Sequence, residues 1–273
     1  MKAKKVLDFT IGVIKRFTNQ AQYVKYFDGV LNVGDVLNID LVRYYCNKEA
    51  INSSGLHHFK HYLIVGSVVH TMNKNSYILG SGLIHPAKLN DVKELGTIMA
   101  LRGENTKLYL EKKYNKIFNV PLGDPALLFP RIYKPEIEKD YFFGLVLHYV
   151  DEKHPLRYLV NEMGGRIISV QQSPESFVNE ISSCENIISS SMHGLILADA
   201  YAIPNKRIIL SDNIFGGDFK FEDYYSTTDT PDEKGAFLSL SVDDSMVFSV
   251  LEDCRVKKYK YNLDLLESLF RNL

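Results

Sequence analysis

The run Ser189-Ser-Ser-Met-His-Gly194 places three hydroxyls, an imidazole and a glycine between an apolar stretch and a helix-forming one. Small polar residues let the chain turn there, and Ser191 suits a helix N-cap. Amides of a first helical turn have no internal acceptors and sit at the positive end of the helix dipole, so this junction can hold an anion. Ser191 and the backbone of Gly194 are its natural contacts. His193 would stand at the mouth, as a phosphate donor or a proton-transfer group. A capped turn with a packed histidine is the plain alternative.

Three other segments carry charge at turns. Arg102-Gly103 closes an apolar stretch, and a guanidinium there can grip a carboxylate or phosphate with two prongs. Pairing of Arg102 with a surface acid competes with that reading. Lys220 lies among aromatics in Phe219-Lys-Phe-Glu-Asp-Tyr-Tyr225, after Gly216-Gly217. Aromatic walls strip water from a lysine and strengthen its pull on an anion; an edge segment covering the core is the alternative. Asn32-Val-Gly-Asp35 puts a glycine and a carboxylate ahead of a helix, where Asp35 can serve as an N-cap. His57 and His61 would share a face if helical, but solvated loop histidines are the expectation there and at His70, His85, His148 and His154, with His70 near enough to a glycine turn to line a cleft. No metal-ligand set is expected.

Alternating apolar strands and periodic helices must position these groups. Strands are predicted over residues 23–27, 61–65, 76–79 and 96–101, with helices over 36–46 and 105–114. After a Pro- and Gly-bearing stretch at 122–135 the alternation restarts: strands at 141–149, 166–170, 186–189 and 206–210, helices at 155–163, 174–184, 194–201 and 263–273. Such alternation predicts an α/β fold of two doubly wound parallel-sheet domains, 1–135 and 136–273, with the site in the cleft between them. An opening amphipathic helix over 3–18, a helical extension of the first domain, has Val6, Val13, Ile14 and Phe17 on one face and Lys2, Lys4, Lys5, Lys15 and Arg16 as basic charge.

Composition narrows the class. Over 273 residues, 45% are hydrophobic and 24% charged, the balance of a soluble globular protein. With 32 Lys and Arg against 33 Asp and Glu, the net charge of -1 provides no field for nucleic acid. The three cysteines are scattered, neither a zinc motif nor a disulfide framework, which fits a cytoplasmic protein. No apolar run is long enough for a membrane span, and charges inside the opening stretch argue against a secretion signal.

In chain order, these segments resemble the polysaccharide pyruvyl transferase family. Asn32-Val-Gly-Asp35 matches N-x-G-D; Gly66-Ser67 and Gly80-Ser-Gly82 match its glycine turns; Leu101-Arg-Gly103 with Thr106 matches R-G-x-x-T. Gly123-Asp-Pro-Ala126 matches G-D-P-A, residues 189–198 are similar to S-S-x-H-G-x-x-x-A, and Lys220-Phe-Glu-Asp-Tyr-Tyr225 matches K-F-x-D-Y-Y. The resemblance implies a GT-B-like pair of Rossmann-like domains facing a cleft. It implies phosphoenolpyruvate as donor substrate, held by Arg102, His193 and Lys220, and no cofactor. A sugar hydroxyl is the acceptor, on a cell-surface polysaccharide or its lipid-linked precursor, with Asp35 a candidate base. On that reading the opening helix either packs on the first sheet or a second copy, or rests peripherally at the inner membrane on anionic lipid. Rival readings are a nucleotide-sugar glycosyltransferase on the same architecture and a silent sugar-binding relative.

Overall fold

The computed structural model describes residues 13–15 and 18–273. Of the opening helix predicted over 3–18, residues 13–15 are helical and Thr18 lies in a turn; the remainder lies outside the described residues.

The chain forms two five-stranded parallel sheets with helices, an α/β fold. The first holds β1 (Ala21–Val24), β2 (Glu49–Asn52), β3 (His61–Leu63), β4 (Ser76–Leu79) and β5 (Thr97–Ala100) in the order 2-1-3-4-5. The second holds β6 (Tyr141–Leu147), β7 (Arg166–Ser169), β8 (Cys184–Ser189), β9 (Asn205–Ile209) and β10 (Ala236–Phe237) in the order 10-9-8-6-7. Val24 pairs with Tyr62, Leu63 with Ile78, and Leu145 with both Ile167 and Ile188. Strands covered on both faces need nearly continuous apolar sequence, and all four residues of β1 are buried.

Helices α1 (Val33–Cys46), α2 (Glu104–Tyr114), α3 (Leu156–Glu162), α4 (Pro174–Ser182), α5 (Met192–Ala200), α6 (Phe219–Tyr225), α7 (Asp244–Glu252) and α8 (Leu263–Arg271) connect and flank the strands. α1 begins three residues before its predicted start because Asn32 is the cap: its side-chain oxygen accepts the Gly34 amide at 2.9 Å. Asp35 therefore does not cap. The 219–225 stretch is a short helix rather than a sheet edge, burying Phe221, Tyr224 and Tyr225. His61 opens β3 as a buried core histidine with its ring nitrogens on the Phe59 carbonyl and the Ser76 hydroxyl, so it shares no helical face with His57.

One apolar cluster runs through both halves, joining Val24, Leu37 and Leu41 to Val146, Phe177 and Leu195. The proline-bearing stretch expected as a boundary contributes to it. Its centre is a 3-10 helix, Pro125–Arg131, whose Ala126, Leu127, Leu128 and Phe129 are buried against α5. Each large side chain so buried contributes roughly 1.5–3 kcal/mol. The chain thus passes between the sheets through the core. α8 then returns to the first half, where Leu266 and Phe270 pack with α1. Tyr45 donates to Glu267 at 2.8 Å, and Arg131 reaches Glu267 and Asp264, each at 2.6 Å. No helix among the described residues is long and apolar enough to cross a membrane.

In each sheet the chain leaves a central strand for one edge and comes back on that strand's other side. These reversals fall between β1 and β3 and between β6 and β8. Connections leave such neighbouring strands in opposite directions, so their carboxyl ends open a crevice.

Candidate active site

Both crevices open into one cleft of about 430 Å³. From the first sheet it is lined by Lys25, Tyr26 and Phe27 after β1 and by Gly66 and Ser67 beyond β3; from the second, by His148 and Tyr149 after β6 and by Ser191, Met192 and His193 after β8. Asp35 of α1 and Lys220 of α6 line it too.

The serines of the β8 turn divide their work. Ser189 donates to the Val146 carbonyl, and the Ser190 hydroxyl accepts the His148 amide at 2.9 Å, which ties the ends of β6 and β8 together. Ser191 is the N-cap residue of α5, but its side chain makes no capping bond and faces the cleft. Among the described residues, first-turn amides of α5 therefore have no side-chain acceptor. Gly194 is buried in α5 and does not line the cleft; a Cβ there would lie 2.5 Å from the Ser189 hydroxyl. Its glycine serves packing.

Glycines in the recognised segments are where the segments touch one another. A Cβ on Gly34 would lie 2.0 Å from Nδ1 of His193, so the ring rests directly on the start of α1. A Cβ on Gly82 would meet the Arg102 guanidinium at 2.4 Å, and one on Gly103 would meet the Asp223 carbonyl at 1.9 Å. Asp223 accepts Nε of Arg102 at 2.9 Å and both the amide and hydroxyl of Thr106 at 2.7 Å. Asp124 lies behind His193, with 3.9 Å between Oδ2 and Nε2, and neither atom has a hydrogen-bond partner among the described residues.

Arg102 sits beneath the floor, not in the lining. It has no exposed surface, and its other donors go to the Ser67 hydroxyl, the Leu83 carbonyl and the Met192 sulfur. Its charge still acts on the site. Burial first, then Arg102 and Lys220, pushes the His193 imidazole down to about 3, so it is neutral. Because of that, the 3.9 Å approach to Asp124 is not an ion pair. Lys220 is depressed to about 8 by burial, then by Arg102 and Arg207. Among the described residues no carboxylate lies within ion-pair distance of it. Burial lifts Asp35 to about 6, opposed by the Phe27 amide that bonds its carboxylate at 2.9 Å. An unpaired, partly desolvated cation beside a proton-poor histidine is a site that an anion would stabilise.

The cleft also holds residues that sequence reasoning set aside. His148 was expected to be solvated, yet it lines the cleft, and burial with the nearby Lys220 lowers it to about 4. His70 lines it as well, as the glycine turn before it hinted. Lys25 carried no signal, being one cation among many.

A family model described as polysaccharide pyruvyl transferase matches residues 18–205. The match spans the Gly34, Arg102, Asp124 and His193 segments and ends before Lys220. The chain is also 26% identical over 212 residues to "Uncharacterized protein L143" of Acanthamoeba polyphaga mimivirus, covering 75% of this chain and 73% of that protein. On the extent of the family match, this chain belongs to the polysaccharide pyruvyl transferase family.

Proposed function

We propose that the protein transfers pyruvate from phosphoenolpyruvate to two hydroxyls of a sugar, forming a cyclic ketal on a cell-surface polysaccharide or its lipid-linked precursor. The observation that carries this is the meeting of the 32–35, 66–67, 191–193 and 220 segments at one cleft, on which both sheets open their reversals and where, among the described residues, no carboxylate lies within ion-pair distance of Lys220. The two Rossmann-like units would work as a GT-B-like pair, with the donor between them.

In the reaction, a proton adds to C3 of the enol and leaves positive character at C2. One sugar hydroxyl adds at C2, the C2–O bond to phosphate breaks, and the second hydroxyl closes the ring. Of the two hydroxyl protons released, one balances that taken up by C3 and the other leaves with phosphate. Lys220 and the first-turn amides of α5, including that of Gly194, would hold the phosphate beside Ser191. The buried charge of Arg102 would add to the field on the donor. His193 would serve as phosphate clamp or as proton donor to C3, and Asp35 as the base for the sugar hydroxyl. The reaction as written needs no cofactor or metal. The basic opening segment would bring the enzyme to anionic lipid at the inner leaflet, where lipid-linked acceptors lie.

The test is incubation with phosphoenolpyruvate and a panel of galactose, mannose and glucosamine derivatives, reading phosphate release. Release dependent on both partners supports the reading. Transfer from a nucleotide sugar with none from phosphoenolpyruvate refutes it.

A further inference from the structure

A second cavity, of about 760 Å³, lies beside the cleft, at the carboxyl end of β9. The segment between β9 and α6 shapes it, Ser211, Asp212 and Asn213 among its lining, and the first half contributes Lys88. Phe215 lines both this cavity and the cleft and is 60% exposed. Exposing so large an aromatic costs free energy unless something covers it.

That ring is held in place rather than left on a loose loop. The Gly217 amide closes a turn on the Ile214 carbonyl at 3.1 Å. Gly216 has φ +89, a conformation glycine adopts freely, and a Cβ there would meet the Ile84 carbonyl at 2.4 Å. The turn is thus seated against the first half. The floor is Arg207, which stacks on Phe221 at 3.7 Å and pairs with Asp218, and whose buried Nε has no partner among the described residues.

Charge in this cavity is balanced, Lys88 and Arg207 against Asp212 and Asp218, so it does not select an anion as the cleft does. It offers an aromatic face, short carboxylate and amide groups, and an unpaired buried N–H. Those groups complement a pyranose, with C–H bonds on one face for the ring and hydroxyls at the edge for Asp212 and Asn213. The volume lies within the range of small-molecule sites.

We propose that this cavity is the saccharide subsite, with Phe215 the platform on which the acceptor ring stacks as its hydroxyls enter the cleft. The proposal rests on the reading of the cleft as the phosphoenolpyruvate site. It adds the place and chemistry of acceptor recognition.

The test is saturation-transfer NMR of the full chain with methyl galactoside, methyl mannoside and N-acetylglucosamine, run beside phosphate-release kinetics. At least one sugar should receive saturation. Phe215→Ala should weaken its binding or raise its KM about three- to tenfold, and Phe215→Trp should restore it, because stacking needs only the ring. Asp212→Ala should raise the acceptor KM while leaving kcat at saturating sugar within twofold. Sugar binding that depends on Phe215 without phosphoenolpyruvate turnover would uphold the subsite and refute the pyruvyl reading. Turnover with an acceptor KM unmoved by both Phe215→Ala and Asp212→Ala would uphold the reading and overturn the subsite. No saturation of any sugar, with no turnover, overturns the subsite as well.

Discussion

Replacing Gly34 by alanine isolates the contact between α1 and His193. The added methyl would fall 2.0 Å from Nδ1, 2.3 Å from Cε1 and 2.5 Å from Cγ of the ring. Ordinary contact begins at 3.4 Å, so the imidazole must retreat by about 1.4 Å, and misplacing a reacting group by about 1 Å can cost 100-fold in rate. The backbone itself has no objection. Gly34 lies in the first turn of α1, outside the left-handed region, and alanine is favoured over glycine in helices by up to about 1 kcal/mol. Gly34→Ala should therefore keep its melting temperature within a few degrees and lose about 100-fold in kcat/KM for phosphoenolpyruvate, close to 2.7 kcal/mol of transition-state stabilisation. Calorimetric melting and phosphate-release kinetics measure the two halves of the claim. A variant active within threefold of the parent would refute the assignment of His193 to the reaction. A variant that unfolds would instead make the contact structural.

Other perturbations follow from the buried charges. Asp223→Asn leaves the Arg102 guanidinium unneutralised at a position without solvent, and should lower the free energy of urea unfolding by roughly 3–5 kcal/mol; Arg102→Met combined with Asp223→Leu should recover most of that stability but no activity, and a single-variant loss below about 1 kcal/mol would show the pair to be weak. The kcat/KM profile should rise through pH of about 6 as Asp35 ionises and fall above about 8 as Lys220 loses its proton. Asp35→Asn should remove the acid limb and Lys220→Arg the alkaline one; an acid limb that survives Asp35→Asn belongs to another buried carboxyl raised to about 6, Asp124 or Asp199, and Asp124→Asn and Asp199→Asn tell which. Because the folded pKa of Lys220 lies below its unfolded value, stability should increase as pH rises from about 8 towards 10.5, and Lys220→Met should flatten that rise in urea titrations. An anion raises the same pKa, so binding phosphoenolpyruvate at pH 8 should take up about half a proton per site, read by calorimetry in buffers of different ionisation enthalpy, and zero uptake would place the phosphate away from Lys220.

Much of the fold was legible because parallel strands covered on both faces announce themselves as short apolar runs. β4 lies where it was predicted, residues 76–79, and other predicted strands differ at their ends. β2 was missed because Glu49-Ala-Ile-Asn is four residues of mixed polarity at a sheet edge. α7 was missed although Asp243 caps it through the Met246 amide, since the preceding serines and aspartates read as loop. Proline and glycine at 122–135 read as a joint, but could not tell that Pro125–Arg131 lies in the core. In the site, His193, Asp35, Ser191 and Lys220, singled out in the sequence, all line the cleft. Residue type could not show that Arg102 spends its donors on Asp223 and Ser67, or that the end of β6 carries His148 inward. Such facts depend on which loops the two sheets bring face to face.

The return of α8 to the first half also sets an order of events during synthesis. α1 cannot complete the cover of its apolar side until Leu266 and Phe270 have been made, more than 200 residues after Leu41. At about 5–20 residues per second, that interval lasts from about ten seconds to most of a minute. The first sheet must spend it incomplete while the second sheet is still being threaded out. A nascent chain stalled before residue 263 should therefore expose the α1 surface and be held by chaperones that bind apolar segments, whereas one released after residue 271 should not.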